Sequence, residues 1–390
     1  MLKYVAASFI VAVGILLALP TPFDPVAFRY AYITRRGTRI ISEYSFSTDG
    51  TPEFTGPLTV NEHIAKARRV FEDAVQGPES FAAANGYVYT GLKDGRIIRF
   101  DVELSDFETL LEPTCAINEC GRPLGLKLHP RDVDKLYVAY SRKGLLLYHI
   151  DTKQWETLVD CRHPGNGIPP LMILNDMVPL SNDSVFFTDM SNKYGFHEVE
   201  EEVVEGRPHG RLFHYNPNDK TLHVVLESLH SPNGMAVGPD EQYLLFAETS
   251  RARVTRYYLK GSEAGTVDIF ADNLPGLPDN ITPSSGGGYW VALGAVRDNG
   301  VLDMMVERPW LRLLGFKLKL MHFLMKLIQK HAMIIELDSS GRIVRSLHDP
   351  KGLVTTSVSS VLDLGDKLLL GSYFAPYIVT TTMEVDQTRE

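Results

Sequence analysis

Only three cysteines occur in 390 residues, and no cysteine and histidine cluster at metal-ligand spacing accompanies them, so the chain carries no zinc-type ligand set. Lysine and arginine never gather into a stripe interleaved with aromatics. The net charge of -9 is dispersed, which leaves a nucleic-acid partner without electrostatic support. No Pro/Gly/Ser linker or low-complexity stretch divides the chain, so one large domain is expected. Long apolar runs are scarce too. The best candidate, Tyr4 to Leu19, is 16 residues long, short of the roughly 20 that span a bilayer as a helix.

That run stands behind Lys3 and is stopped by Pro20-Thr21-Pro22. It fits a cleaved signal peptide, a signal anchor or an apolar strand. Leu19 and Pro20 make a poor cleavage exit, so an uncleaved anchor over 1–24 is expected, with 25–57 leading into a propeller over 58–390. Arg35 and Arg36 on the far side blur the charge asymmetry, so orientation rests on the exported character of the rest. Cys115 and Cys120 bracket a four-residue loop that can close as a disulfide in an oxidising compartment, leaving Cys161 odd; the alternative is three reduced thiols. Asn182-Asp183-Ser184 is a glycosylation sequon on an expected turn.

With 44% apolar residues, 31 Gly and 23 Pro spread over many short turns, the chain reads as all-β. A unit of turn, small or apolar strand, polar turn, β-branched or aromatic strand, and further strand recurs six times. Its second strands are YVYTG, KLYVAY, SVFFTD, YLLFAE, YWVALG and KLLLGS. Glu79, Arg122, Asn175, Asn233 and Asp279 mark successive units, 43, 53, 58 and 46 residues apart, the spacing of four-stranded propeller blades. A six-bladed β-propeller is therefore expected. The strand around Leu58 to Asn61, or the Arg68 to Glu72 run, is expected to complete the last blade.

The fifth unit is interrupted over 297–331. There Leu, Phe and Met recur at helical spacing with Lys317, Lys319, Lys326 and Lys330 among them, which predicts an amphipathic helix, either packed over a rim or lying on a membrane. An acidic stretch, Glu198 to Gly206, is expected to be a mobile loop.

Innermost strands of a propeller begin around a central channel, so equivalent positions converge. Four units place oxygen-bearing side chains there: Glu79, Asn175, Asn233, and Asp279 with Asn280. Carboxylate and amide oxygens suit a hard cation, calcium ahead of magnesium because it accepts six to eight oxygens in irregular geometry. Asn280 also opens a sequon, expected to be unused inside a channel. His129, His209 and His230 are expected to be structural or solvated.

The stretches HSPNGMAVGPDEQYLLFAETSRARVTRYYLKG, NLPGLPDNITPSSGGGYWVAL, ERPWLR, SLHDPKGL and CGRPLGL resemble those of the adipocyte plasma membrane-associated and strictosidine synthase-like family over nearly the whole chain. The resemblance implies a six-bladed propeller in a single-pass type II membrane protein with the propeller lumenal or extracellular. Related calcium propellers, the paraoxonases and gluconolactonases, place metal ligands at positions resembling Glu79, Asn175, Asn233, Asp279 and Asn280. Paraoxonases use a histidine where Leu124 stands, with its partner near Ser141, so that dyad is absent here. Strictosidine synthases use a late glutamate matched here by Asp363, one methylene shorter, which argues against alkaloid condensation. The expectation is a membrane-tethered, calcium-dependent hydrolase of arylester or lactone type. Asp279 would serve as base or nucleophile and Asp363 as a substrate-facing acid. The rivals are a non-catalytic propeller docking protein partners around a structural cation, and a Pictet-Spengler synthase.

Overall fold

The computed structural model describes residues 11–25, 32–33, 45–46, 50–113, 119, 121–298, 300–320, 323 and 330–382. Six four-stranded antiparallel sheets form the blades of a propeller. Five are contiguous in sequence: blade 1 spans Phe81 to Leu111, blade 2 Pro123 to Asp160, blade 3 Leu174 to Leu229, blade 4 Pro232 to Ala271 and blade 5 Gly276 to Asp349. Blade 6 takes three strands from the C-terminal part, Ser360–Asp363, Lys367–Gly371 and Ile378–Thr382, and its fourth, Arg68–Val70, from the N-terminal part. Val70 pairs with Ile378 and Arg68 with Thr380, so the ring is closed by a strand from the other end of the chain. This gives blade 6 an outer strand. Leu58 to Asn61 forms no strand. Gly56–Leu58 is a 3-10 turn, and the Asn61 amide donates to the Ser346 carbonyl on blade 5.

Burial falls from the centre of the ring outward, which explains the strand compositions. Second strands such as Val185–Asp189 are buried at every residue because both faces meet neighbouring blades, so they read as continuous apolar runs. Fourth strands such as Gln154–Asp160 alternate and expose their polar residues. The largest apolar cluster lies between blades 4 and 5 and includes Leu245, Val254, Val291 and Met333. It continues onto Phe23, Leu302, Met305 and Val306, so the N-terminal segment and the blade 5 insertion share the core.

Three helices stand on the ring. Helix α1 (Val199–Glu205) follows the second strand of blade 3, and α2 (Val301–Glu307) and α3 (Pro309–Lys317) follow that of blade 5. Within the expected helical insertion the described residues hold two short helices separated at Arg308-Pro309, where proline starts α3 at its first turn, and residues 321–322 and 324–329, Lys326 among them, lie outside the described residues. The acidic segment is likewise helix instead of mobile loop. Glu202 and Glu205 are fully buried, Glu202 accepting from Ser191 Oγ at 2.6 Å and facing His209 Nδ1 at 3.0 Å, and Glu205 meeting Lys193 Nζ at 2.7 Å.

Residues 11–18 are helical. Among the described residues no helix is long and apolar enough to cross a membrane. Residues 1–10 of the expected anchor, and Cys115 and Cys120 of the expected bridge, lie outside the described residues. Cys161 is a buried free thiol. Asn182 is exposed on the turn between the first two strands of blade 3, its Oδ1 accepting from the Ser184 amide and hydroxyl. That turn lies at the far end of the innermost strand from Asn175.

Candidate metal centre in the central channel

The innermost strands of blades 3, 4 and 5 carry the same irregularity. Leu174 pairs with Asp189 and Met177 with Phe187; Pro232 pairs with Glu248 and Met235 with Phe246; Pro278 pairs with Leu293 and Ile281 with Val291. In each, three steps on the inner strand match two on its partner, a β-bulge that leaves Asn175-Asp176, Asn233-Gly234 and Asp279-Asn280 out of the ladder. One side chain of each pair is thereby turned into the channel. Gly234 shows how tightly these strands meet: a Cβ there would lie 2.3 Å from the Asn280 Cα. Blade 2 has the bulge too, between Pro123 and Gly125, and presents Leu124.

Glu79, Asn175, Asn233 and Asp279 all line one cavity of about 760 Å³ on the helix-bearing side of the ring. Asn280 does not line it. Its backbone N–H donates to the Ser359 carbonyl at 3.0 Å, and its amide nitrogen stands 3.4 Å from the Glu79 carbonyl and 3.5 Å from Glu79 Oε1. It therefore packs behind Glu79. Around the oxygens Leu124, Ile173, Met190, Phe196, Val203 and Leu277 make an apolar part of the wall, and Lys93, Glu200 and Lys330 add charged side chains to its lining. Phe196 and Val203 come from the α1 insertion, and Tyr373 and Phe374 from blade 6 close the other side.

Burial dominates the electrostatics. It pushes the Glu79 carboxyl up to about 7; Arg122 opposes the rise and Asp176 adds to it. Asp279 is driven well above the carboxylate range by burial and then by the charge of Glu79. Arg122 is itself fully buried, its guanidinium donating to the carbonyls of Tyr373, at 2.8 Å, and Gly77. Burial pushes the Tyr373 phenol to about 12.

Whether a cation suits these residues can be read from their unsatisfied atoms. Thr249 donates its only hydroxyl proton to the Pro278 carbonyl at 2.7 Å and so accepts from the Asn233 amide at 3.2 Å, which fixes Asn233 Oδ1 on the side away from Thr249. That oxygen and Glu79 Oε2 are buried without a hydrogen-bond partner. Each such atom costs roughly 1–3 kcal/mol, and more when charged. A carboxylate oxygen and an amide oxygen left in this condition beside the Asp279 carboxylate fit a hard divalent cation. Among the described residues no group of three or more His, Cys, Asp or Glu could hold a metal ion, so a cation here would need amide oxygens beside the carboxylates.

The structure separates Asp363 from this centre. The blade 6 strand begins beside Ser359, whose hydroxyl donates to the Glu79 carbonyl at 3.0 Å, and ends at Asp363. At ~3.3 Å per residue that is roughly 13 Å along the channel. Its carboxylate accepts from the Ser285 amide and hydroxyl at 2.9 Å each and from Trp290 Nε1 at 3.0 Å, which pulls its pKa down against the effect of burial. Asp363 ties blade 6 to blade 5 and faces no cavity wall. None of the three histidines lines the cavity either. His129 meets Asp183, His209 meets Glu202, and buried His230 contacts the Gly206 carbonyl. Sequence reasoning missed Arg122 and the apolar wall. Arg122 stands at the expected blade start, but an arginine there signals nothing until Gly77 and Tyr373 are seen around it.

Residues 175–262 match the strictosidine synthase family model, and residues 56–100 the model for the N-terminal part of strictosidine synthase-like proteins. Adipocyte plasma membrane-associated protein from Danio rerio is 37% identical over 85% of this chain and 82% of its own length, and that from Homo sapiens is 36% identical over the same shares. Protein strictosidine synthase-like 13 from Arabidopsis thaliana is 34% identical over 73% of this chain and 75% of its own. Among solved structures, a gluconolactonase from Xanthomonas campestris superposes with a TM-score of 0.56 at 18% identity, covering 83% of this chain and 91% of that one. The calcium-binding protein regucalcin from Agrobacterium tumefaciens gives 0.53 at 13% identity, covering 80% and 92%. These two likenesses concern the fold. Identity sustained over the length of the curated relatives carries more: the chain belongs to the family of adipocyte plasma membrane-associated and strictosidine synthase-like proteins.

Proposed function

We propose that the protein is a membrane-anchored, calcium-dependent hydrolase of arylesters or lactones. The observation that carries this reading is the pair of orphaned buried oxygens, Glu79 Oε2 and Asn233 Oδ1, beside Asp279 in a cavity with apolar side chains on much of its wall. Glu79, Asn175, Asn233 and Asp279 would hold the ion, with Asn280 supporting Glu79 from behind. When bound, the cation supplies polarisation of a carbonyl and stabilisation of the negative charge that develops on its oxygen. Asp279, whose carboxylate lines the cavity beside Glu79 and Asn233, would take the proton of the attacking water. Leu124, Ile173, Met190 and Phe196 seat the apolar part of the ester and keep bulk water out. The relatives named for a plasma membrane and the apolar run Tyr4 to Leu19 support the anchor, with the propeller on the lumenal or extracellular side.

A second reading rests on Leu124. Blade 2 repeats the bulge yet offers a hydrocarbon where the other blades offer an oxygen, which suits a structural cation in a non-catalytic propeller that docks a protein. Purified full-length protein assayed with phenyl acetate, with and without calcium, separates the two. Hydrolysis should require calcium, and Asp279→Asn should lower kcat by about 10²-fold or more. If calcium raises thermal stability while no hydrolysis occurs, the docking reading stands instead. A condensation product from tryptamine and secologanin would favour the synthase over both.

A further inference from the structure

The N-terminal segment does not hang from the ring by a free tether. Lys317, the last residue of α3, donates its ammonium to the carbonyls of Leu16 at 2.7 Å and Leu17 at 2.9 Å, and to that of Leu19. These carbonyls stand at the end of the helix over 11–18, where the Leu19 amide also donates to Leu16, and a cation there meets the negative end of the helix dipole. Phe23 stacks on Phe316, ring centroids 4.5 Å apart, and is almost fully buried. Pro22 and Asp24 are bound in turn by Lys193, at 2.6 Å, and Arg207. The apolar helix is therefore fixed against α3.

The adjoining surface is unusual for a water-facing one. Trp310 is 51% exposed, Leu318 48%, Leu320 41% and Phe323 58%, all within 14 residues, and Val11, Ile15 and Leu19 are more than half exposed beside them. Residues 308–330 contain no aspartate or glutamate, and besides the buried Arg312 they carry Arg308, Lys317, Lys319, Lys326 and Lys330. Apolar side chains interleaved with cations and free of acids match the boundary between acyl chains and anionic headgroups. The same rim carries the cavity. Arg312 donates to the carbonyls of Val204 and Glu205 at the end of α1, whose Val199 and Val203 line it.

We propose that α3 together with Leu318, Leu320 and Phe323 forms a second membrane-contact surface, which holds the ring with its cavity rim against an anionic bilayer. This rests on the membrane-anchored reading above. The occupant is a lipid surface because the patch adjoins Val11 to Leu19, the described part of the apolar run, whose end Lys317 grips.

Trp310 is the probe. Full-length protein is reconstituted in phosphatidylcholine and phosphatidylserine vesicles with brominated or unbrominated acyl chains, and the emission component that Trp310→Phe removes is followed. Trp290 is fully buried and Trp155 lies on blade 2, so both persist in the variant. Brominated chains should quench most of the Trp310 component, and aqueous iodide should leave it unchanged. Quenching by iodide and not by bromine overturns the proposal, and so does protection from both, which would mean that a protein covers the patch. Failure of the protein to float with vesicles at all would count against the anchor itself.

Discussion

Glu79 is the residue at which charge, burial and metal binding meet. Its carboxyl sits at about 7 in the folded chain against 4.5 as a free group, so between those values the folded state holds a proton that the unfolded state has released. Without a cation, the Glu79 contribution therefore favours folding at the acid end of this window and is lost as pH rises through it. Asp279 moves in the same direction. A cation reverses the balance by occupying the ionised oxygens. Thermal unfolding in chelator should show stability falling from pH 5 to pH 8 more steeply in the native chain than in Glu79→Gln, and calcium should stabilise the native chain more at pH 8 than at pH 5. Equal slopes for the two proteins in chelator would rule out this role for Glu79. The four cavity oxygens were legible in the sequence because an oxygen-bearing residue recurs at four of the expected blade starts. The bulges that aim them were not, since a bulge is a mismatch between two strands and leaves no mark on one. Asp363 misled for a related reason: resemblance of a turn carries no distance, and one strand length separates that turn from the channel.

Among the elements, α1 and α3 depend on each other through Arg312. It is fully buried and donates to the carbonyls of Val204, Glu205 and Val306, joining the ends of α1 and α2 to α3. Arg312→Ala leaves those carbonyls without their charged donor, and a charge-assisted hydrogen bond contributes about 1.5–3 kcal/mol. Hydrogen exchange across residues 199–206 should accelerate strongly in this variant while the strands of blades 1 and 6 stay protected. Unchanged exchange would mean that the burial of Phe196 and Val204 holds α1 alone. The helical periodicity of the blade 5 insertion was visible in sequence, and so was the Pro309 that starts its second helix. The acidic run was misread, because three consecutive glutamates look like a solvated face, whereas the partners that bury Glu202 and Glu205 lie elsewhere: Ser191, Lys193 and His209 on the flanking chain and Ser231 on blade 4.

For the whole molecule the number of blades followed from the repeat, and the Arg68 to Glu72 run was one of two candidates for the closing strand; sequence did not choose it over Leu58 to Asn61, since Arg68–Val70 has three residues and no alternation to announce it. Closure sets the cavity. Blade 6 contributes Thr356, Ser357, Tyr373 and Phe374 to a wall that starts at Glu79 of blade 1, and the helices add Phe196, Val199 and Val203, so the space is enclosed only when the ring and its insertions are complete. Such a wall favours an apolar acyl chain over a small polar ester. Each methylene moved from water into it contributes about 0.8 kcal/mol, which is roughly a 4-fold gain in kcat/KM per carbon if the transition state keeps that contact. A series of lactones of increasing alkyl length, assayed with the full chain, should therefore show kcat/KM rising by several-fold per added carbon until the space is filled, then levelling. Phe196→Ser, at a wall position that touches no metal ligand, should flatten the rise while leaving the shortest substrate little affected. A length-independent rate would mean that the apolar wall serves packing and that the reaction takes place on small substrates at the oxygens alone.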